Sequence, residues 1–170
     1  GVVMSWSVGR EFTDGTMVGL FAVPPTLRSI AAAKMVATLS WAALLGVGEA
    51  ALLMTAGLML GLGPAGAAGC FAVLALIAVL LSASVLPVMW AATRWRGYLA
   101  GIGFTLAILV ITNLAAGFGL GSCIPWSIPI VWAARRTEVG TPLLAVPVIT
   151  AAIGAWITYR SWDRLQLGAD

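Results

Sequence analysis

The chain has 170 residues, 61% of them hydrophobic and only 9% charged, against about a quarter charged in ordinary soluble domains. No soluble fold of this length hides that much apolar surface, so lipid is the solvent for most of the chain. The net charge of +3 rests on nine bases and six acids, with no basic run and no aromatic–basic interleaving; this argues against nucleic acid as a partner and leaves the charges to report topology.

Gly1 to Val8 is apolar and runs straight into Arg10 with no signal-peptide pattern. It reads as the end of an earlier membrane helix, which implies that the true N-terminus lies upstream. Residues 5 to 23 have helical periodicity, with Val8, Phe12, Met17, Leu20 and Phe21 recurring at steps of three and four on one side. Arg10, Glu11 and Asp14 fall largely off that side, so the spacing predicts a short amphipathic helix lying in the membrane interface. A turn follows at Asp14-Gly15, a second helix starts at Thr16, Pro24-Pro25 ends it, and Ser29 is placed to cap the next helix.

Ile30 to Leu62 is one apolar run in which only Lys34 and Glu49 are charged. Crossing the hydrocarbon core takes roughly 20 residues, so the first full span is expected over 35–60. The next is expected over 67–90, with Pro87 kinking it near its end. A short charged hinge, Thr93-Arg94-Trp95-Arg96, leads to a third span over 97–117. From 118 to 141 glycines, prolines and charges interrupt every run, and only short re-entrant or surface pieces such as Ile128 to Ala134 are expected. The last span is expected over 143–159, bent at Pro147, with a polar tail over 160–170.

The fold class that follows is all-α, a polytopic membrane helical bundle. Placing the 10–34 segment in the cytoplasm also places Arg94, Arg96, Arg160 and Arg164 there, and leaves only Arg135 and Arg136 outside. The positive-inside rule favours that orientation. Most of the eight tryptophans fall near expected span ends, as an interfacial belt requires.

Chemistry is thinly represented. Histidine is absent, which removes the zinc-protease motif, the serine triad and the usual proton shuttle near neutral pH. No GxxxxGK[ST] loop is present, and Cys70 and Cys123 have no metal-ligand spacing. They are expected on the outer side, as small unpaired hydrophobes or as a disulfide. Glu49 is the charge at membrane depth, where a carboxylate is costly unless paired, wet or protonated; it reads as a substrate-path or gating residue, or as a carboxyl near an outer vestibule or hydrogen-bonded to a neighbouring helix. Asn113 is expected to make an interhelical hydrogen bond. Steps of GxxxG occur at Gly15/Gly19, Gly57/Gly61, Gly97/Gly101 and Gly117/Gly121, each a candidate for close helix packing.

With the 10–34 segment on the cytoplasmic face, its residues resemble a known pattern. Arg10-Glu11-Phe12, Asp14-Gly15-Thr16, Leu20, Pro24, Arg28 and Lys34, running into a long membrane helix, resemble the ABC-2 type permeases, with the bacitracin-resistance branch of single-domain permeases as the nearest pattern. The resemblance implies a type V exporter-like transmembrane domain with its first two helices mostly absent from this chain. It implies that 1–34 is the end of a membrane helix plus a coupling segment, and that 35–170 is the transmembrane domain. Arg10, Glu11, Phe12, Asp14, Gly15 and Thr16 would form the ATPase-docking site, with Phe12, Leu20 and Phe21 fixing it against the membrane helices.

The same resemblance implies an ABC exporter subunit in a bacterial inner membrane, moving an amphipathic substrate such as an antibiotic, a peptide or a lipid-like molecule. The chain itself would hold no cofactor; ATP and Mg would sit on a separate ATPase, and a second permease copy would complete the pore. The residues leave two other classes open. One is an ion-coupled transporter or structural membrane subunit, with Glu49 as its key residue. The other is a membrane-embedded enzyme, which would need clustered polar groups at one depth.

Overall fold

The computed structural model describes residues 1–22, 24–135 and 139–165. Among the described residues, eight α-helices follow in order: α1 (Val2–Thr13), α2 (Met17–Phe21), α3 (Leu27–Met59), α4 (Pro64–Ser84), α5 (Pro87–Arg94), α6 (Tyr98–Gly117), α7 (Ile128–Ala134) and α8 (Ala145–Asp163). Short 3-10 turns lie at Gly121–Cys123 and Thr141–Leu144, and no strand occurs among the described residues. That is the solution hydrocarbon demands, because a helix satisfies its backbone within its own segment. Four stretches are long and apolar enough to cross a bilayer: Leu27–Met59, Pro64–Arg94, Tyr98–Gly117 and Thr141–Asp163.

Arg136 and Glu138 lie outside the described residues, as does the end of the tail beyond Leu165. Charged residues at the ends of α1, α3 and α8 gather at one end of the bundle, whereas Arg135, after α7, lies with Gly119 and Gly121 beyond the far end of α6. Arg28 at the start of α3 reaches Asp163 at the end of α8 (3.8 Å). Phe12 near the end of α1 meets Trp162 of α8 edge-on, with ring centroids 6.5 Å apart. The Trp162 indole N–H donates to Thr93 Oγ1 in α5 (2.9 Å). Trp162 is fully buried there, in a core with Met4, Val8, Ala31, Met35, Leu86, Met89 and Ala92. It is therefore the hub of the charged end rather than a member of an interfacial belt, because its polar N–H finds a protein acceptor.

The amphipathic helix expected before the Asp14-Gly15 turn is packed against the bundle rather than lying free on it. α1 packs antiparallel along α6 through a stripe of small residues, Gly1, Ser5 and Gly9, facing Thr105, Gly101 and Tyr98. Ser5 Oγ donates to the Tyr98 carbonyl (2.5 Å), and side chains of the other helices cover Met4 and Val8. A methyl group on Gly9 would collide with the Tyr98 backbone. Small residues let two helix backbones approach this closely, and the approach outweighs the exposure of a few charges on the far side of α1. Of the GxxxG pairs, Gly97/Gly101 belongs to this contact. Gly15, Gly19, Gly61 and Gly117 have open space where a side chain would be.

Pro87 does more than bend a helix. It separates α4 from α5, and the tightened turn has Val88 N–H donating to the Val85 carbonyl (3.0 Å). The Ser84 carbonyl, whose regular partner would be Val88 N–H, instead accepts from the Trp126 indole (2.8 Å). So Trp126, from the irregular stretch after α6, reaches into the bundle to satisfy a carbonyl that the proline break exposes. Two local expectations are corrected. Thr26, not Ser29, caps α3: its extended backbone follows Pro25, and its side chain accepts from Ser29 N–H. Asn113 donates to the Leu109 carbonyl of its own helix (2.8 Å), because its side of α6 faces outward.

Candidate functional site

The site is built from the last turn of α1, the 14–16 turn, α2 and the first two turns of α3. α1 ends where Asp14 N–H closes on the Arg10 carbonyl (2.8 Å). Gly15 then takes a left-handed backbone (φ 69°), which reverses the chain at little cost only for glycine. α2 follows as a single short turn. Its Met17 and Leu20 rest on the core around Trp162, while Val18, Gly19 and Ala22 face outward. Phe12 shares that core. Phe21, also expected to anchor the segment, is half-buried.

Glu11 holds the turn to the bundle. Its Oε1 accepts from Lys34 Nζ of α3 (2.7 Å), and its Oε2 accepts from the Thr16 hydroxyl (2.5 Å). The same Lys34 ammonium donates to the Ser7 carbonyl of α1 (2.7 Å). The Lys34 and Glu11 side chains are 22% and 14% exposed, which makes this a sheltered pair rather than a surface one. Burial pushes the Glu11 pKa up, but hydrogen bonds from Lys34 and Thr16, with the charges of Lys34 and Arg10, pull it down by more. The net result is a carboxyl that titrates below its ordinary 4.5. One carboxylate thus ties α1, the turn and α3 together.

Arg10 and Asp14 stand differently. They face each other one helical turn apart at 4.0 Å, with side chains 44% and 55% exposed, and Arg10 stacks over the Trp6 ring at 4.6 Å. An exposed pair at that distance contributes little to stability, so both groups are available to a partner. Of the residues singled out from the sequence, the structure therefore brings Arg10, Glu11, Phe12, Asp14, Gly15 and Thr16 into one corner and gives them different tasks. Glu11 and Phe12 face inward, while Arg10, Asp14, Gly15 and Thr16 are exposed. Lys34 and Trp162 were missing from that set. Lys34 is 23 positions from Glu11, beyond the reach of helical periodicity, and Trp162 looks like any tryptophan at a helix end.

Glu49 lies elsewhere, roughly 22 Å along α3 from Lys34 at 1.5 Å per residue. It is exposed, on a face it shares with Trp41 (55% exposed), Leu45 (57%) and Leu52 (72%). Cys70 and Cys123 are both free and exposed, and no cluster able to hold a metal occurs among the described residues. No curated protein and no solved structure matches the chain. A family model for ABC-2 family transporter proteins matches residues 1–113, from α1 through most of α6, and the chain belongs to that family.

Proposed function

We propose that this chain is the permease subunit of an ATP-driven exporter in a bacterial inner membrane, and that the 14–22 turn with Arg10 is where a separate ATPase docks. The observation that carries the reading is the paired construction of that corner. An exposed, glycine-reversed turn sits directly on the core that joins α1, α3, α5 and α8 at Trp162. Its inner edge is held by Glu11 and Lys34. A partner pressing on Val18 and Asp14 would move Met17, Leu20 and the Trp162 core together. For ATP to drive the bundle, the ATPase must dock with different free energy on its inward-facing and outward-facing forms. Membership of the ABC-2 family supports a transport role over bond-breaking chemistry.

Purifying the tagged full-length chain from its native membrane tests the reading. An ATPase should co-purify with the wild type and be lost from Arg10→Glu/Asp14→Lys, which reverses the exposed charges and leaves the Glu11–Lys34 pair intact. Retention of the ATPase by that variant would move docking elsewhere.

One observation favours a second reading. Glu49 is a carboxylate on an exposed, leucine-lined face of a membrane helix, and such a group is costly against lipid. Either a second permease copy covers this face and Glu49 lines the path between them, or Glu49 carries a coupled proton. Glu49→Gln separates these: transport that survives a proton-gradient dissipator and still fails in Glu49→Gln supports the path, and transport abolished by the dissipator supports proton coupling.

A further inference from the structure

At the charged end, on the side of α8 away from the coupling turn, a cleft of about 230 Å³ is lined by Trp90, Trp156, Ile157, Arg160, Ser161 and Arg164. Arg160 and Arg164 are one helical turn apart and both exposed. Arg160 lies over the Trp156 ring, 5.2 Å from its centroid. The nearest carboxylate in sequence, Asp163, is turned to Arg28 at 3.8 Å. The Ser161 hydroxyl donates to the Ile157 carbonyl (2.7 Å), so the cleft's charged chemistry is that of two guanidinium groups.

Steps of three and four residues continue this face of α8 into the span. Ile149 is 56% exposed, Ile153 54% and Trp156 59%. The face therefore reads, from mid-membrane to the charged end, as two aliphatic side chains, an indole and two guanidiniums. That order is the order of a phospholipid: acyl chain, glycerol level, phosphate. Tryptophan favours the interfacial level, and basic pockets at this depth bind anionic headgroups.

We propose that the Arg160/Arg164 cleft holds the phosphate of an anionic phospholipid of the adjacent leaflet, with one acyl chain lying along Ile153 and Ile149. The acyl track points to a membrane lipid rather than free phosphate, since a soluble anion gains nothing from it. Guanidiniums fit the phosphate because each can donate two parallel hydrogen bonds.

Native mass spectrometry of the full chain, released from detergent after incubation with phosphatidylglycerol, phosphatidylcholine or inorganic phosphate, tests this. Phosphatidylglycerol should be retained at one molecule per chain, and phosphatidylcholine and inorganic phosphate should not. Arg160→Gln/Arg164→Gln should bind phosphatidylglycerol roughly 30-fold more weakly, the effect of losing two bases near an anionic surface. Arg160→Lys/Arg164→Lys should retain most of the binding, and Arg10→Gln, which removes a guanidinium from the same end of the bundle, should bind like wild type. All these side chains are exposed, so the variants should remain monodisperse on gel filtration. Equal retention of phosphatidylcholine, equal binding by the double glutamine variant, or displacement by inorganic phosphate would each overturn the assignment.

Discussion

Lys34 is the side chain on which the corner between α1 and α3 depends most. It closes the bridge to Glu11 and the hydrogen bond to the Ser7 carbonyl at once. Lys34→Met leaves the sheltered Glu11 carboxylate short of its main partner, and should cost about 1–3 kcal/mol. A double-mutant cycle with Glu11→Met on detergent-solubilised protein should return part of that loss, because the second change removes the stranded charge. The pH dependence has a fixed sign. The native Glu11 pKa is depressed below 4.5, so the bridge is at full strength above that value and is lost as pH falls through the native pKa. The unfolding midpoint of the wild type should therefore drop faster than that of Glu11→Met on acidification below pH 4.5. Sequence periodicity shows Glu11 as a polar residue on a helix, but not that its partner stands 23 positions away. Long-range pairing of this kind is decided by how helices pack, which local spacing does not contain.

At the scale of the element, α1 and its turn carry the most information. Gly9 lies in near contact with the Tyr98 backbone, where a side chain would overlap main-chain atoms, and Gly101 makes room for the Ser5 side chain. Gly9→Ala should cost about 1–3 kcal/mol through forced separation of α1 and α6, measured by thermal unfolding in detergent. Gly19→Ala, in open space, should cost no more than a few tenths. Gly15→Ala should cost about 1–2 kcal/mol for a different reason, the left-handed backbone. The long helices α3, α4, α6 and α8 were legible because uninterrupted apolar length has one stable outcome in lipid. Arg10, Glu11 and Asp14 draw attention to the outward side of α1, and on them rests its sequence reading as an interfacial helix following a membrane-helix end. The signal that would have corrected the reading was present: Gly1, Ser5 and Gly9 recur every fourth residue, the pattern of a helix that meets another closely.

For the whole molecule, one end gathers the Glu11–Lys34 and Arg28–Asp163 pairs of α1, α3 and α8 around Trp162, while Glu49 of α3 and Arg135 after α7 lie away from it. That asymmetry is the one the positive-inside rule reads, and under the proposed orientation the 14–22 turn faces the cytoplasm. The docking role proposed for Arg10, Asp14, Gly15 and Thr16 rests on resemblance, since charged loops occur on every membrane protein. What the structure adds is mechanical: the turn and the bundle share a core. The most direct test uses Cys123, exposed in the 3-10 turn Gly121–Cys123, as a reporter in a Cys70→Ser background. Its rate of reaction with a membrane-impermeant maleimide is measured in the ATPase complex with and without ATP. ATP should change that rate in the intact complex, and Glu11→Met/Lys34→Met should abolish the change while the ATPase remains bound. An ATP response that persists undiminished in that variant would show that force reaches the bundle by another route.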